Sequence, residues 1–142
     1  MGNSQAIGVA YSDQNIIGAD IVSANNVFAI GQIGYAAGNY STVTQTNNKN
    51  TAVTINTPSG SIVTATSQLA PAAQGVFVVN CSAVSAKDTV VASVASGGTL
   101  GAYNVFVAAI ASGQFTVVIK NSTNNAYSEA VQINYAILHT QG

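Results

Sequence analysis

Apolar side chains recur at every second position along most of this chain, and the three-to-four spacing of an amphipathic helix is hard to find anywhere. That period commits the chain to pleated strands. Thr42-Val43-Thr44-Gln45-Thr46 alternates, and Thr51-Ala52-Val53-Thr54-Ile55-Asn56 places Val53 and Ile55 on one face with Thr54 and Asn56 on the other. In the last third, Phe115, Val117 and Ile119 oppose Thr116, Val118 and Lys120. Likewise Val131, Ile133, Tyr135 and Ile137 oppose Gln132, Asn134 and Ala136.

Turn chemistry separates these runs. Thr57-Pro58-Ser59-Gly60 combines a proline that presets φ with a glycine that tolerates positive φ. Leu69 to Gly75 and Ser96-Gly97-Gly98-Thr99 read as loops, and Ser112-Gly113 reads as the turn of a hairpin. The spacing predicts strands over 42–46, 51–56, 61–66, 76–80, 88–96, 103–110, 115–120 and 129–138. About eight short strands without a helix-sized crossover predict an all-β fold, an antiparallel, jelly-roll-like β-sandwich. A doubly wound parallel sheet is disfavoured, because each parallel pair needs such a crossover.

Residues 1–40 differ. Ala6-Ile7-Gly8-Val9-Ala10, Ile16-Ile17-Gly18-Ala19 and Val27-Phe28-Ala29-Ile30 are short apolar runs broken by glycine and asparagine. They read as an extended N-terminal arm or attachment segment lying along a neighbouring subunit, with further strands of the same domain as the alternative. The sandwich domain is then 41–142. The glycines at 31, 34 and 38 are spaced too irregularly for a phosphate-binding loop. Candidate interface residues are Ile16, Ile17, Val27, Phe28 and Ile30, with Tyr35 and Tyr40 at segment ends where aromatic rings pack into interfaces.

Composition narrows the function. Of 142 residues 48% are apolar and only 5% charged, against roughly a quarter in an average soluble domain. Arginine is absent and the net charge is −1, so binding to nucleic acid by counterion release and binding to anionic lipid by a polybasic patch are both excluded. Mean hydropathy is +0.34, which favours folding over disorder. A surface of Ser, Thr, Asn and Gln repels its own copies weakly and favours association. The start Met1-Gly2-Asn3-Ser4 lacks the pattern of a secretory signal, and Ala6 stands where myristoylation of Gly2 wants Ser or Thr.

Catalytic material is sparse. Cys81 is the lone cysteine and reads as a small buried hydrophobe, so neither a disulfide within the chain nor a cysteine zinc site is available. His139 reads as a solvent-exposed tail residue, and a Cys81–His139 nucleophile pair has no local support. The carboxylates are Asp13, Asp20, Asp88 and Glu129, with Glu129 expected to pair with Lys120 across a hairpin. No catalytic, cofactor-binding or metal site is signalled. The triplets at Asn39, Asn80 and Asn121 match the glycosylation pattern by chance in an Asn- and Ser-rich chain.

Ordered blocks of this sequence resemble a family of small tailed-phage virion proteins. They begin with Ile33-Gly34-Tyr35-Ala36-Ala37-Gly38, Lys49-Asn50-Thr51-Ala52-Val53-Thr54-Ile55-Asn56 and Pro58-Ser59-Gly60-Ser61-Ile62. Asn80-Cys81-Ser82-Ala83-Val84, Gly98-Thr99-Leu100-Gly101-Ala102-Tyr103, Lys120-Asn121-Ser122-Thr123 and Ile133-Asn134-Tyr135-Ala136-Ile137 continue the resemblance, which covers about residues 33–138. Members are capsid decoration (cement) proteins or head- and tail-fibre modules built on a β-sandwich. The resemblance implies a non-enzymatic protein on the virion's capsid surface, with the major capsid protein for partner; edge strands unprotected by charge add the expectation that its own copies cover them, by forming a homotrimer or by strand addition. Neither nucleic acid nor membrane is among its partners. A fibre module that binds a bacterial surface glycan is the alternative.

Overall fold

A computed structural model describes residues 25–140. Ile16, Ile17, Asp13 and Asp20 lie outside the described residues. The chain divides between Ile33 and Gly34. Residues 25–33 contain no strand, and Val27, Phe28, Ile30 and Ile33 are exposed, Phe28 at 89%.

From Gly34 onward the chain is an all-β sandwich whose first strand opens at Tyr40. A 3-10 turn over Ala37–Asn39 leads into eight strands: β1 (Tyr40–Thr44), β2 (Val53–Thr54), β3 (Ser59–Val63), β4 (Gln74–Asn80), β5 (Thr89–Gly97), β6 (Tyr103–Ala111), β7 (Gln114–Asn121) and β8 (Val131–Leu138). Each overlaps a run expected from the alternation. They form two four-stranded sheets, ordered β1-β3-β8-β5 and β2-β4-β7-β6.

The all-β sandwich is as expected, and its antiparallel pairing holds for four of the six strand pairs, the other two needing correction. β1 pairs with β3, and β2 with β4, in parallel, while β3–β8, β5–β8, β4–β7 and β6–β7 are antiparallel. The reason lies in the crossover. A parallel pair needs a long return path, usually a helix; here the path from β1 to β3 runs through β2 in the other sheet, and that from β2 to β4 runs through β3.

The alternation puts Ile62, Val131, Ile133 and Tyr135 of one sheet against Phe77, Val79, Phe115, Val117 and Ile119 of the other, all buried. The Phe115 and Tyr135 rings meet with centroids 5.3 Å apart, which ties the layers together. Gly60 faces this core from β3. A Cβ there would lie 2.6 Å from the Ser41 carbonyl and 2.8 Å from Ile55 Cδ1, so only glycine lets β1 and Tyr135 come this close. The β6–β7 hairpin turns at Ser112-Gly113 as the sequence predicts, with Gly113 at φ +78°.

Candidate interaction surface

The two sides of the sandwich are finished differently. Both parallel crossovers arch over the β1/β2 side, and Lys49 joins them. It is 2% exposed, and its ammonium donates to the carbonyls of Ala65 (2.6 Å), Ser67 (2.7 Å) and Glu129 (2.9 Å). Burial pushes the Lys49 pKa down, opposed by the Glu129 carboxylate. Three carbonyl acceptors match the three donors of an ammonium, which makes this buried cation chemically complete.

On the other side β5 runs beside β6, and each is the edge strand of its sheet. Among the described residues these are the longest edge strands: β1 has five residues, β2 two, β5 and β6 nine each. No charged residue occurs between Asp88 and Lys120. Edge strands are ordinarily blunted by charge, proline or shortness. Here only bulges interrupt them, at Ala95 in β5 and Ala108 in β6. Grooves of about 310 Å³, lined by residues 94–101 and Tyr103, and about 410 Å³, between residues 88–90 and 107–110, flank this side. Val91 and Val94 of β5, Leu100 of the connecting loop and Phe106 of β6 are exposed along it.

Phe106 belongs to a cross-strand row. It stands opposite Val118 of β7, which stands opposite Val76 of β4, all on the outer face. Val118 is buried between two exposed neighbours, Val76 at 40% and Phe106 at 47%. The outer face of the other sheet is mixed, with Val91 and Leu138 exposed beside polar side chains. Thr42, Ser61, Asn134 and Ser93 form one uncharged row across β1, β3, β8 and β5.

The interface residues expected from sequence divide accordingly. Val27, Phe28 and Ile30 lie exposed in residues 25–33, whereas Tyr35 and Tyr40 belong to the sandwich. Tyr35 donates its hydroxyl to the Ile137 carbonyl and sets its ring edge against His139 at 6.2 Å. Tyr40 opens β1 opposite Ser59, half-exposed. Sequence reasoning missed Phe106, Val76 and Val91; their signal was present in the strands' polar-facing positions, where valine and phenylalanine replace the expected Thr or Asn.

Chemistry-bearing residues are accounted for structurally. Cys81 is 1% exposed, its thiol 3.6 Å from the Thr57 carbonyl. His139 is half-exposed but anchored: its Nδ1 lies 3.0 Å from Asp88 Oδ2, which corrects the expectation of a free tail residue. Glu129 does not pair with Lys120, because β8 joins the sheet opposite to β7. Its carboxylate instead accepts from the Thr99 backbone N–H (2.6 Å) and the Tyr103 hydroxyl (2.8 Å), and these contacts hold its pKa down. Among the described residues no group of three His, Cys, Asp or Glu side chains is placed to hold a metal, and no helix is long and apolar enough to cross a membrane.

Asp88 provides a pH test. Its side chain is enclosed and accepts from the Ser85 N–H (2.8 Å), His139 and the Thr140 N–H (3.0 Å); the two backbone donors hold its pKa well below the ordinary 3.8. A carboxylate depressed by folding contributes stability that is present above the unfolded value and lost as pH falls through the folded one. Chemical denaturation across pH 2 to 6 is expected to show a loss of stability below about pH 4, smaller in Asp88→Asn. An equal loss in that variant would remove Asp88 as the cause.

No family model, curated protein or solved structure matches the chain.

Proposed function

We propose that this chain is a non-enzymatic capsid decoration protein that binds the outer surface of a phage head lattice and stabilises it through contacts with shell subunits and its own copies. One observation carries the reading: β5 and β6, its longest edge strands, face solvent with no charge between Asp88 and Lys120. A free monomer with such edges is an aggregation hazard, and burial in a lattice removes the hazard. The apolar side chains of residues 27–33 add further surface that gains by being covered, about 25 cal/mol for each Å² removed from water. The capsid as location rests on the ordered resemblance to tailed-phage virion proteins.

The fibre reading is favoured by the exposed, uncharged hydroxyl and amide side chains of Thr42, Asn134 and Ser93, which suit a neutral glycan. Co-sedimentation separates the two. Purified chain mixed with phage heads lacking it is expected to pellet with them at saturating stoichiometry and to raise the temperature at which they release DNA. Binding to host envelope glycan with no binding to heads would favour the fibre.

A further inference from the structure

The lattice reading leaves open which surface joins one copy to another. We propose, resting on that reading, that two copies pair antiparallel through β6, with Phe106 of one opposite Phe106 of the other.

The argument begins with charge. A two-fold axis brings each residue of the paired strand close to the same strand of its partner, so a lysine or glutamate near the axis would meet a like charge. A strand serving an unrelated partner has no such restriction. β6 and its flanks carry no charge from residue 89 to 119, which is what self-pairing demands.

Register supplies the second step. The row Val76–Val118–Phe106 ends abruptly at the β6 edge with its aromatic ring half-exposed. A second β6 placed antiparallel about Phe106 continues the row as Phe106–Val118–Val76. It sets two aromatic rings directly across from each other, a favourable cross-strand pair. The same register places Val105 opposite Val107 on the inner face, so apolar meets apolar on both sides of the joint sheet.

Area supplies the third. Nine residues make an edge about 30 Å long, and two sheets about 10 Å apart give a strip on the order of 300 Å². A stable interface of ~800 Å² per partner therefore also draws on exposed Leu100 and the grooves that flank the strand.

Single-cysteine crosslinking tests the register, since Cys81 is buried and wild-type chain serves as control. With copper phenanthroline as oxidant, Phe106→Cys is expected to form a covalent dimer. Val76→Cys, five strand spacings or ~24 Å from its mate, is expected to form none. Sedimentation of uncrosslinked Phe106→Lys, which keeps an exposed side chain, is expected to show dimerisation weakened about 100-fold. A monomeric wild-type chain, a trimer in which Phe106→Cys does not crosslink, or equal crosslinking at Val76 would overturn the proposal. None of these reads head binding, so this interface and the decoration reading fail separately.

Discussion

Lys49→Met is expected to lower stability by about 3 kcal/mol or more, and the thermal midpoint by about 10 °C. Methionine fills much of the volume but donates nothing, so the carbonyls of Ala65, Ser67 and Glu129 lose the donor they share. Each buried acceptor left without a partner costs about 1–3 kcal/mol. The effect is large because Lys49 joins the β1–β2 connection to the segments before β4 and before β8, the places where the parallel crossovers must be held. Gly75 shares this site: a Cβ there would lie 2.8 Å from Lys49 Cβ, so Gly75→Ala displaces the same side chain. Denaturant titration of both variants checks this. A Lys49→Met loss under 1 kcal/mol would show that the ammonium's contacts do not hold the crossovers.

Asn121→Asp is the second large effect, and its size depends on pH. Asn121 is fully buried at the end of β7. Its amide donates to the carbonyls of Leu69 (3.1 Å), Ala70 (3.1 Å) and Asn125 (2.7 Å), and its oxygen accepts from the Thr123 N–H (3.0 Å) and hydroxyl (2.8 Å). A carboxylate keeps the acceptor but faces three carbonyls with no proton to offer. The cost is about 3–5 kcal/mol at neutral pH, exceeding the roughly 2–3 kcal/mol of Asn121→Ala. Protonation restores one donor, so the carboxyl's pKa rises on folding and the variant's deficit relative to wild type shrinks as pH falls. Parallel denaturation at pH 7 and pH 4.5 checks this; a deficit that stays constant or grows on acidification contradicts it.

These two residues also mark where reading the sequence stopped. Period-two alternation located all eight strands, because a half-buried strand writes its geometry directly into residue order. It assigned Cys81 to the interior and the β6–β7 turn to Ser112-Gly113 for the same local reason. Nothing in the sequence singles out Lys49 or Asn121 as buried, since polarity is the only local cue and their acceptors lie as far as 80 residues away. The parallel pairs were missed because the cue sought was a helix, while the crossover was a strand of the facing sheet. Pairing Glu129 with Lys120 failed likewise: sequence neighbours β7 and β8 part company between the layers.

The candidate surface was legible in part. Composition foretold a chain short of charge, yet not that the deficit coincides with the two longest edges, because strand order decides which runs become edges. Phe106 gained meaning only once register aligned it with Val118 and Val76.

Imaging of intact virions that carry the chain tests the central claim most directly. The account predicts sandwich-sized density at many symmetry-related positions on the outside of the head, touching shell subunits. Particles whose heads are bare, with the chain found only at the tail or left behind in the soluble fraction, would contradict it.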